Sequence, residues 1–261
     1  MSISEFEISA LNTETPAVVQ AYALAKVAQA VYVDEPAERL PALRQHFPCR
    51  RYFRHEHIFG LVAGNDSDVI LAFRGTDDRD WIQALAYSQI TAGLGRVHSG
   101  LWNALAGVWP HILAALYDTD ALDKRLWLTG HSLGGGLATL AAFRLEHENF
   151  APTAAYTFGA PRVLDAAAAK GLRTPLYRVV NNEDALPDMP FPGFSAHYFH
   201  AGERLFLTAT GAVAANRHTA HLARRIDRAF AIGEGPILAG PWHDHQLDQY
   251  LAKLRRLAAN A

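Results

Sequence analysis

A short apolar run, Arg125–Thr129 (RLWLT), meets Gly130-His131-Ser132-Leu133-Gly134 and passes straight into an Ala- and Leu-rich stretch, Leu133–Glu148. Strand, tight Gly-x-Ser-x-Gly turn and helix in that order constrain this 261-residue chain more than any other feature. The serine of such a turn takes a strained backbone conformation, and side chains at 130 and 134 would collide with neighbouring chain. Its Oγ then projects above a sheet at a helix N-terminus, where backbone N–H groups favour developing negative charge. Ser132 is therefore the candidate nucleophile, with the N–H of Leu133 as one donor to an oxyanion. The competing readings are a glycine-rich turn that only packs helix on sheet, or a nucleotide loop. No G-x-G-x-x-G or phosphate-loop pattern supports the latter.

Around this turn the hydrophobic pattern alternates between two periods. Residues 15–33 follow Thr15-Pro16 with Val18, Val19, Tyr22, Leu24, Ala25 and Ala28 at helical spacing. Residues 50–63 read as a strand, 64–67 as a turn, and Asp68–Phe73 (DVILAF) as a fully buried strand, so the pair forms a hairpin. Ser99–Tyr117 is predicted helical, with Leu101, Leu105, Val108, Ile112 and Leu116 on one face. Strands at 154–158, 176–181, 196–200 and 204–207 follow, with helices at 163–170, 221–230 and 246–257. Interleaved strands and helices favour an α/β fold with a mixed, mostly parallel central sheet. With no internal repeat and no long linker, residues 1–261 read as a single domain.

A nucleophile turn needs a second oxyanion donor from the loop after an earlier strand. The strand ending at Phe73 runs into Arg74-Gly75-Thr76-Asp77-Asp78, so Thr76 is the candidate, against an ordinary solvent-facing turn. A catalytic acid and then a base should follow in chain order. Leu176–Asn181 leads into Asn182-Glu183-Asp184-Ala185-Leu186-Pro187, which offers Asp184, with Glu183 and Asp188 as rivals. Six histidines come later, among them His243 and His245 in Trp242-His243-Asp244-His245 before the last helical stretch. His245 at a helix N-terminus would be kept neutral and ready to accept a proton, with His243 its close rival.

Composition narrows the classes. Half the residues are hydrophobic, and 24 Lys and Arg stand against 26 Asp and Glu for a net charge of −2, without the basic excess of a nucleic-acid binder. The single cysteine, Cys49, allows no intramolecular disulfide. No apolar span is long enough to cross a membrane. The opening residues lack a basic, apolar leader pattern, so residence in the cytoplasm and export without a cleaved signal are both compatible. The pairs His55/His57, His218/His221 and His243/His245 lack a third ligand at useful spacing, so no metal and no cofactor are expected.

Four blocks occur in order: Phe73-Arg74-Gly75-Thr76, Val97-His98-Ser99-Gly100-Leu101, Thr129–Gly136, and Tyr156-Thr157-Phe158-Gly159-Ala160-Pro161-Arg162-Val163. Together they resemble the fungal-type (class 3) lipase family of the α/β-hydrolase superfamily, in a bacterial-type member, across about residues 25–254. The resemblance implies Thr76 as oxyanion-hole residue and 77–89 as a short helical lid whose Trp81, Ile82 and Leu85 form an apolar, substrate-facing patch. Asp184 matches the family's acid in D-x-[VL]-P, and Asp244, His245 and Tyr250 match D-H-x-x-x-x-Y. Phe191, Phe194, Leu186 and Trp242 are candidates for an acyl-binding wall. The implied activity is hydrolysis of carboxylic esters, acylglycerols first, through an acyl-enzyme on Ser132, at a lipid–water interface if the lid moves. Short-chain or aromatic esterase, phospholipase A1, and a catalytically silent binding protein on the same scaffold are the alternatives.

Overall fold

The computed structural model describes residues 11, 14–15, 17–33, 41–76, 89–93, 95–190, 197–214 and 239–261. Helix α1 (Ala17–Ala30) and a short α2 (Pro41–His46) precede three antiparallel strands, β1 (Cys49–His55), β2 (Ile58–Gly64) and β3 (Asp68–Phe73). A separate two-stranded hairpin, β4 (Gln89–Ala92) and β5 (Gly95–His98), leads into the long α3 (Ser99–Asp118). Next come β6 (Arg125–His131), α4 (Leu133–Leu145), β7 (Ala154–Phe158), α5 (Ala166–Gly171), β8 (Leu176–Asn181), β9 (Glu203–Leu207) and β10 (Val213–Ala214). Two C-terminal helices close the chain, α6 (Ala239–His245) and α7 (Leu247–Ala258).

The main sheet has eight strands in the order β1-β2-β3-β6-β7-β8-β9-β10. Pairing is parallel from β3 through β9 and antiparallel at both edges. This is the mixed, mostly parallel sheet that the sequence pattern predicts. Side chains alternate across it with period two. Val69, Leu71 and Phe73 of β3, with Leu126 and Leu128 of β6, join the apolar cluster under α3 and α4. Ile70, Ala72 and Trp127 face the opposite cluster with α1 and α7. Burial on both faces is why residues 69–73 are an unbroken apolar run. The buried Asp68 carboxylate accepts from Arg125 Nε (2.8 Å), Arg125 Nη2 (2.7 Å) and Trp127 Nε1 (2.8 Å), tying the start of β3 to β6.

The stretch 50–63 is two strands rather than one. Glu56, at φ 49°, reverses the chain between His55 and Ile58, which face each other in the ladder. Neither Glu56 nor His57 is a usual turn residue, so residue type hides this hairpin. The helix expected over 163–170 starts only at Ala166, because Leu164 is held in bridges to Val97 and Phe199 while Asp165 caps the helix on Ala168 N–H at 2.7 Å. The bridge at Phe199 is all that forms, among the described residues, of the strand expected at 196–200. The last helix, expected at 246–257, runs from Leu247 to Ala258; the extended Gln246 (ψ 132°) separates it from α6, which the sequence pattern does not predict. The helix expected at 221–230 lies outside the described residues. No helix among the described residues is long and apolar enough to cross a membrane.

Candidate active site

Three parallel strands end side by side, and their C-terminal ends carry the site. Ser132 follows β6 at φ 58° and ψ −130°, a conformation that costs about 1–3 kcal/mol for a non-glycine residue and persists only where its surroundings enforce it. Here they do. The Ser132 N–H donates to Phe158 O at the end of β7 (2.9 Å), and the Ser132 carbonyl accepts from Gly135 N–H (3.0 Å) in the first turn of α4. A β-carbon on Gly134 would stand 2.5 Å from Phe73 O, and one on Gly130 would fall on the Gly134 backbone. Only glycine at both positions lets β3, β6 and α4 approach this closely.

Leu133 is the first residue of α4, so its N–H lacks a helical acceptor and lies at the positive end of the helix dipole. Thr76 follows Gly75, whose α-carbon lies against the turn: a β-carbon there would stand 3.2 Å from Ser132 Cβ. Thr76, expected from the sequence as the second oxyanion donor, follows this glycine and lines the cavity beside His245. Trp81, Ile82 and Leu85, with the segment 77–88 as a whole, lie outside the described residues, as do Phe191 and Phe194. Leu186 belongs to the core beneath α3 and α4, whereas Trp242 packs its ring 5.4 Å from that of His245.

His245 closes α6, two residues before the start of α7, rather than opening a helix as its sequence context suggests. Its Nε2 lies 3.0 Å from Ser132 Oγ, and its Nδ1 lies 3.0 and 3.1 Å from the two Asp184 oxygens. His243, two residues earlier, is exposed. Glu183 directs its backbone N–H to Asp244 Oδ2 (3.0 Å), and Asp188 faces Arg162 at 3.5 Å. Of the three acids considered, Asp184 is the one at the imidazole.

Asp184 has no exposed surface. Burial alone would raise its pKa, but the facing His245, with hydrogen bonds from His245, the Tyr250 hydroxyl and the Leu186 N–H (2.9 Å), outweighs burial and holds the carboxyl below its ordinary value. An ionised carboxylate only accepts, so His245 Nδ1 carries the proton and Nε2 accepts from the Ser132 hydroxyl. Gly159, at φ 59°, gives this group its room. A β-carbon there would lie 2.6 Å from Asp184 Oδ2 and 3.0 Å from His245 Nδ1. In the block YTFGAPRV, Gly159 therefore clears the site. Arg162 pins the following loop through the carbonyls of Asp188 (2.5 Å) and Pro190 (3.0 Å).

The sequence motif that contains His245 also holds Asp244 and Tyr250 but does not say what they do; the contacts made by Asn181, Lys253 and Tyr32 carry no motif at all. Tyr250 OH bridges Asp184 and the Asn181 N–H (3.2 Å), so the start of the acid loop and α7 are joined at the carboxylate. Asp244 Oδ2 accepts from Asn182 Nδ2 (2.8 Å), and its carbonyl accepts from Asn181 Nδ2 (2.8 Å). Lys253 Nζ in turn donates to Asn181 Oδ1 at 2.6 Å. His131 donates from Nε2 to the His245 carbonyl (2.7 Å), which leaves Nδ1 to accept from the Tyr32 hydroxyl (2.7 Å). Burial, and then the neighbouring His245, push the His131 pKa down to about 3, so this second imidazole is neutral. Tyr32 carried no signal, because nothing near it in the chain marks its approach to position 131. Beside His245, with Thr76, His131 and Trp242 in its wall, opens a cavity of about 440 Å³.

Residues 70–194 match the family described as lipase (class 3). A lipase of Rhizomucor miehei is 31% identical over 163 residues, which cover 57% of this chain and 44% of that protein. The secreted mono- and diacylglycerol lipase A of Penicillium camembertii is 30% identical over 156 residues, 57% of this chain and 50% of its own length. The chain thus spans about half the length of these relatives. Among solved structures, the triacylglyceride lipase of Rhizomucor miehei superposes with a TM-score of 0.63 at 21% identity, covering 86% of this chain and 90% of that one. The mono- and diacylglycerol lipase of Aspergillus oryzae gives 0.65 at 22% identity, over 75% and 81%. At such identities the superpositions show the fold, that of the α/β-hydrolase lipases.

Proposed function

We propose that this chain, whose residues 70–194 match the class 3 lipase family, is a serine hydrolase of carboxylic esters, with acylglycerols as its substrates. The observation that carries the reading is the unbroken line Ser132 Oγ–His245 Nε2, His245 Nδ1–Asp184, at 3.0 Å on both sides of the imidazole. Ser132 attacks the ester carbonyl while His245 takes its proton. Asp184 holds the tautomer and stabilises the imidazolium that forms. The N–H groups of Leu133 and Thr76 face the oxyanion of the tetrahedral intermediate. His245 then returns the proton to the departing alcohol. A water activated by the same imidazole releases the acid from the acyl-enzyme. None of these steps calls on a metal or cofactor.

The test is hydrolysis of p-nitrophenyl butyrate, p-nitrophenyl palmitate and emulsified triacylglycerol by wild type and Ser132→Ala. The expected result is turnover of all three by wild type and a loss of about 10⁴–10⁶-fold in the variant. Butyrate turnover alone would restrict the activity to a short-chain esterase. Equal rates in wild type and variant would remove Ser132 from the mechanism.

A further inference from the structure

We infer that Arg162, Arg178 and Arg204, gathered beside the acid loop, form a binding site for a doubly charged oxyanion of the phosphate type. Arg178 in β8 and Arg204 in β9 are register partners in neighbouring parallel strands, so their side chains leave the same face of the sheet next to each other. Like charges so placed repel. Arg162 joins them from the loop after β7. Its Nη1 holds the carbonyls of Asp188 and Pro190, and its Nη2 lies 3.5 Å from the Asp188 carboxylate. His200 stands within the field of all three arginines and donates from Nε2 to the Pro187 carbonyl at 2.6 Å. Burial, then Arg178 and Arg162, keep that imidazole neutral.

Arg178 is short of both charge and acceptors. The charges that act on it are the two other guanidinium groups and, against them, the Asp188 carboxylate. Glu203 pairs with Tyr177 on the opposite face of the sheet. Arg178 Nε donates to the Ala201 carbonyl at 2.8 Å, and among the described residues nothing accepts from its Nη1 or Nη2. Burial, then Arg204 and Arg162, bring its pKa down to about 10, so it stays charged at neutral pH. A half-buried guanidinium in this state is costly to leave unanswered. A phosphate answers it: paired oxygens accept from the planar fork, and two negative charges meet the positive excess. Chloride brings one charge and no fork of oxygens. Occupation also braces the acid loop, because Arg162 and His200 already hold the carbonyls of Pro187, Asp188 and Pro190, just past Asp184.

The phosphate is either free in solution or the headgroup of an anionic lipid, and the experiment separates the two sources. Inorganic phosphate is titrated into the protein by calorimetry in chloride buffer of fixed ionic strength, at mildly alkaline pH where phosphate is the dianion. Vesicles of diether phosphatidylcholine, with and without diether phosphatidic acid, are offered in a sedimentation assay; their ether links leave no ester to cleave. Wild type is expected to bind one phosphate per chain. Sedimentation that needs phosphatidic acid and is competed by inorganic phosphate assigns the headgroup, and phosphate binding without it assigns the free ion. Arg178→Gln is expected to weaken phosphate binding at least about tenfold, and Arg204→Gln at least about threefold. Arg178→Lys, which keeps the charge but loses the fork, is expected to fall between wild type and Arg178→Gln. The Arg204 variant and the wild-type titration keep the test open if Arg178→Gln does not fold. No phosphate binding by wild type, or an affinity unchanged in the folded variants, overturns the site.

Discussion

The imidazole of His131 lies against that of His245, ring centroids 4.7 Å apart and planes inclined by 30°, while its Nε2–H holds the carbonyl oxygen of His245 itself. A neutral ring, anchored at Nδ1 by Tyr32, thus grips the base through its own backbone. His131→Leu is expected to lower kcat on p-nitrophenyl butyrate about 10–100-fold with little change in KM, because the base is displaced while the substrate's surroundings remain. His131→Gln, whose amide N–H can reach the same carbonyl, is expected to recover most of the loss. If Gln and Leu behave alike, His131 is only a packing group.

Tyr250 contributes a single polar atom to the site, and that atom holds Asp184 Oδ2. Tyr250→Phe keeps the ring that fills the cluster under α1 and α7 but removes the hydroxyl. Asn181 N–H also loses its acceptor. The expected cost is about 1–3 kcal/mol in stability, from a buried donor and a buried charge each left with one partner fewer. An about tenfold fall in kcat should accompany it. Urea unfolding and steady-state kinetics read the two effects, and wild-type values in both would make the hydroxyl incidental.

Stability should depend on pH well above the carboxylate range. Burial lowers the pKa of His98 to about 4 and of His131 to about 3, and holds His200 well below its ordinary value. An unfolded histidine titrates near about 6.5, so below that pH the unfolded chain binds protons that the folded chain does not. The stability these groups confer is complete above about pH 6.5 and declines as the pH falls toward 4 and 3. Asp184, with its lowered pKa, adds a contribution of the same sign that is lost only below about pH 4. The melting temperature should therefore fall steadily from pH 7 to pH 4.5, and less steeply in His131→Gln. A flat profile over that interval would contradict the burial of neutral histidines.

What a reader of the chain can recover is whatever short-range geometry demands of neighbouring residues. The Ser132 turn is legible because one strained residue and two close backbone approaches fall within five positions, and each forces a residue type. DVILAF is legible because burial on both faces of a strand requires an apolar side chain at almost every position. The reversal at Glu56 was hidden for the opposite reason: positive φ was imposed by the β1–β2 pairing on a residue that does not advertise it.

The rest was decided in three dimensions. The resemblance favoured Asp184 over Glu183 and Asp188, and His245 over His243, but their meeting depends on where the fold sets side chains separated by 61 and 113 positions in the chain. The extended Gln246 puts His245 at the end of one helix rather than the start of the next, and the neighbouring Asp244 carbonyl accepts from Asn181 of the acid loop. Tyr32 meets His131 from 99 residues away because α1 covers the sheet face from which β6 emerges. Chemistry that needs one residue of a given kind at one place in a turn is written in the sequence. Chemistry that needs two groups within 3 Å of each other from distant segments exists only once the sheet and its covering helices have packed.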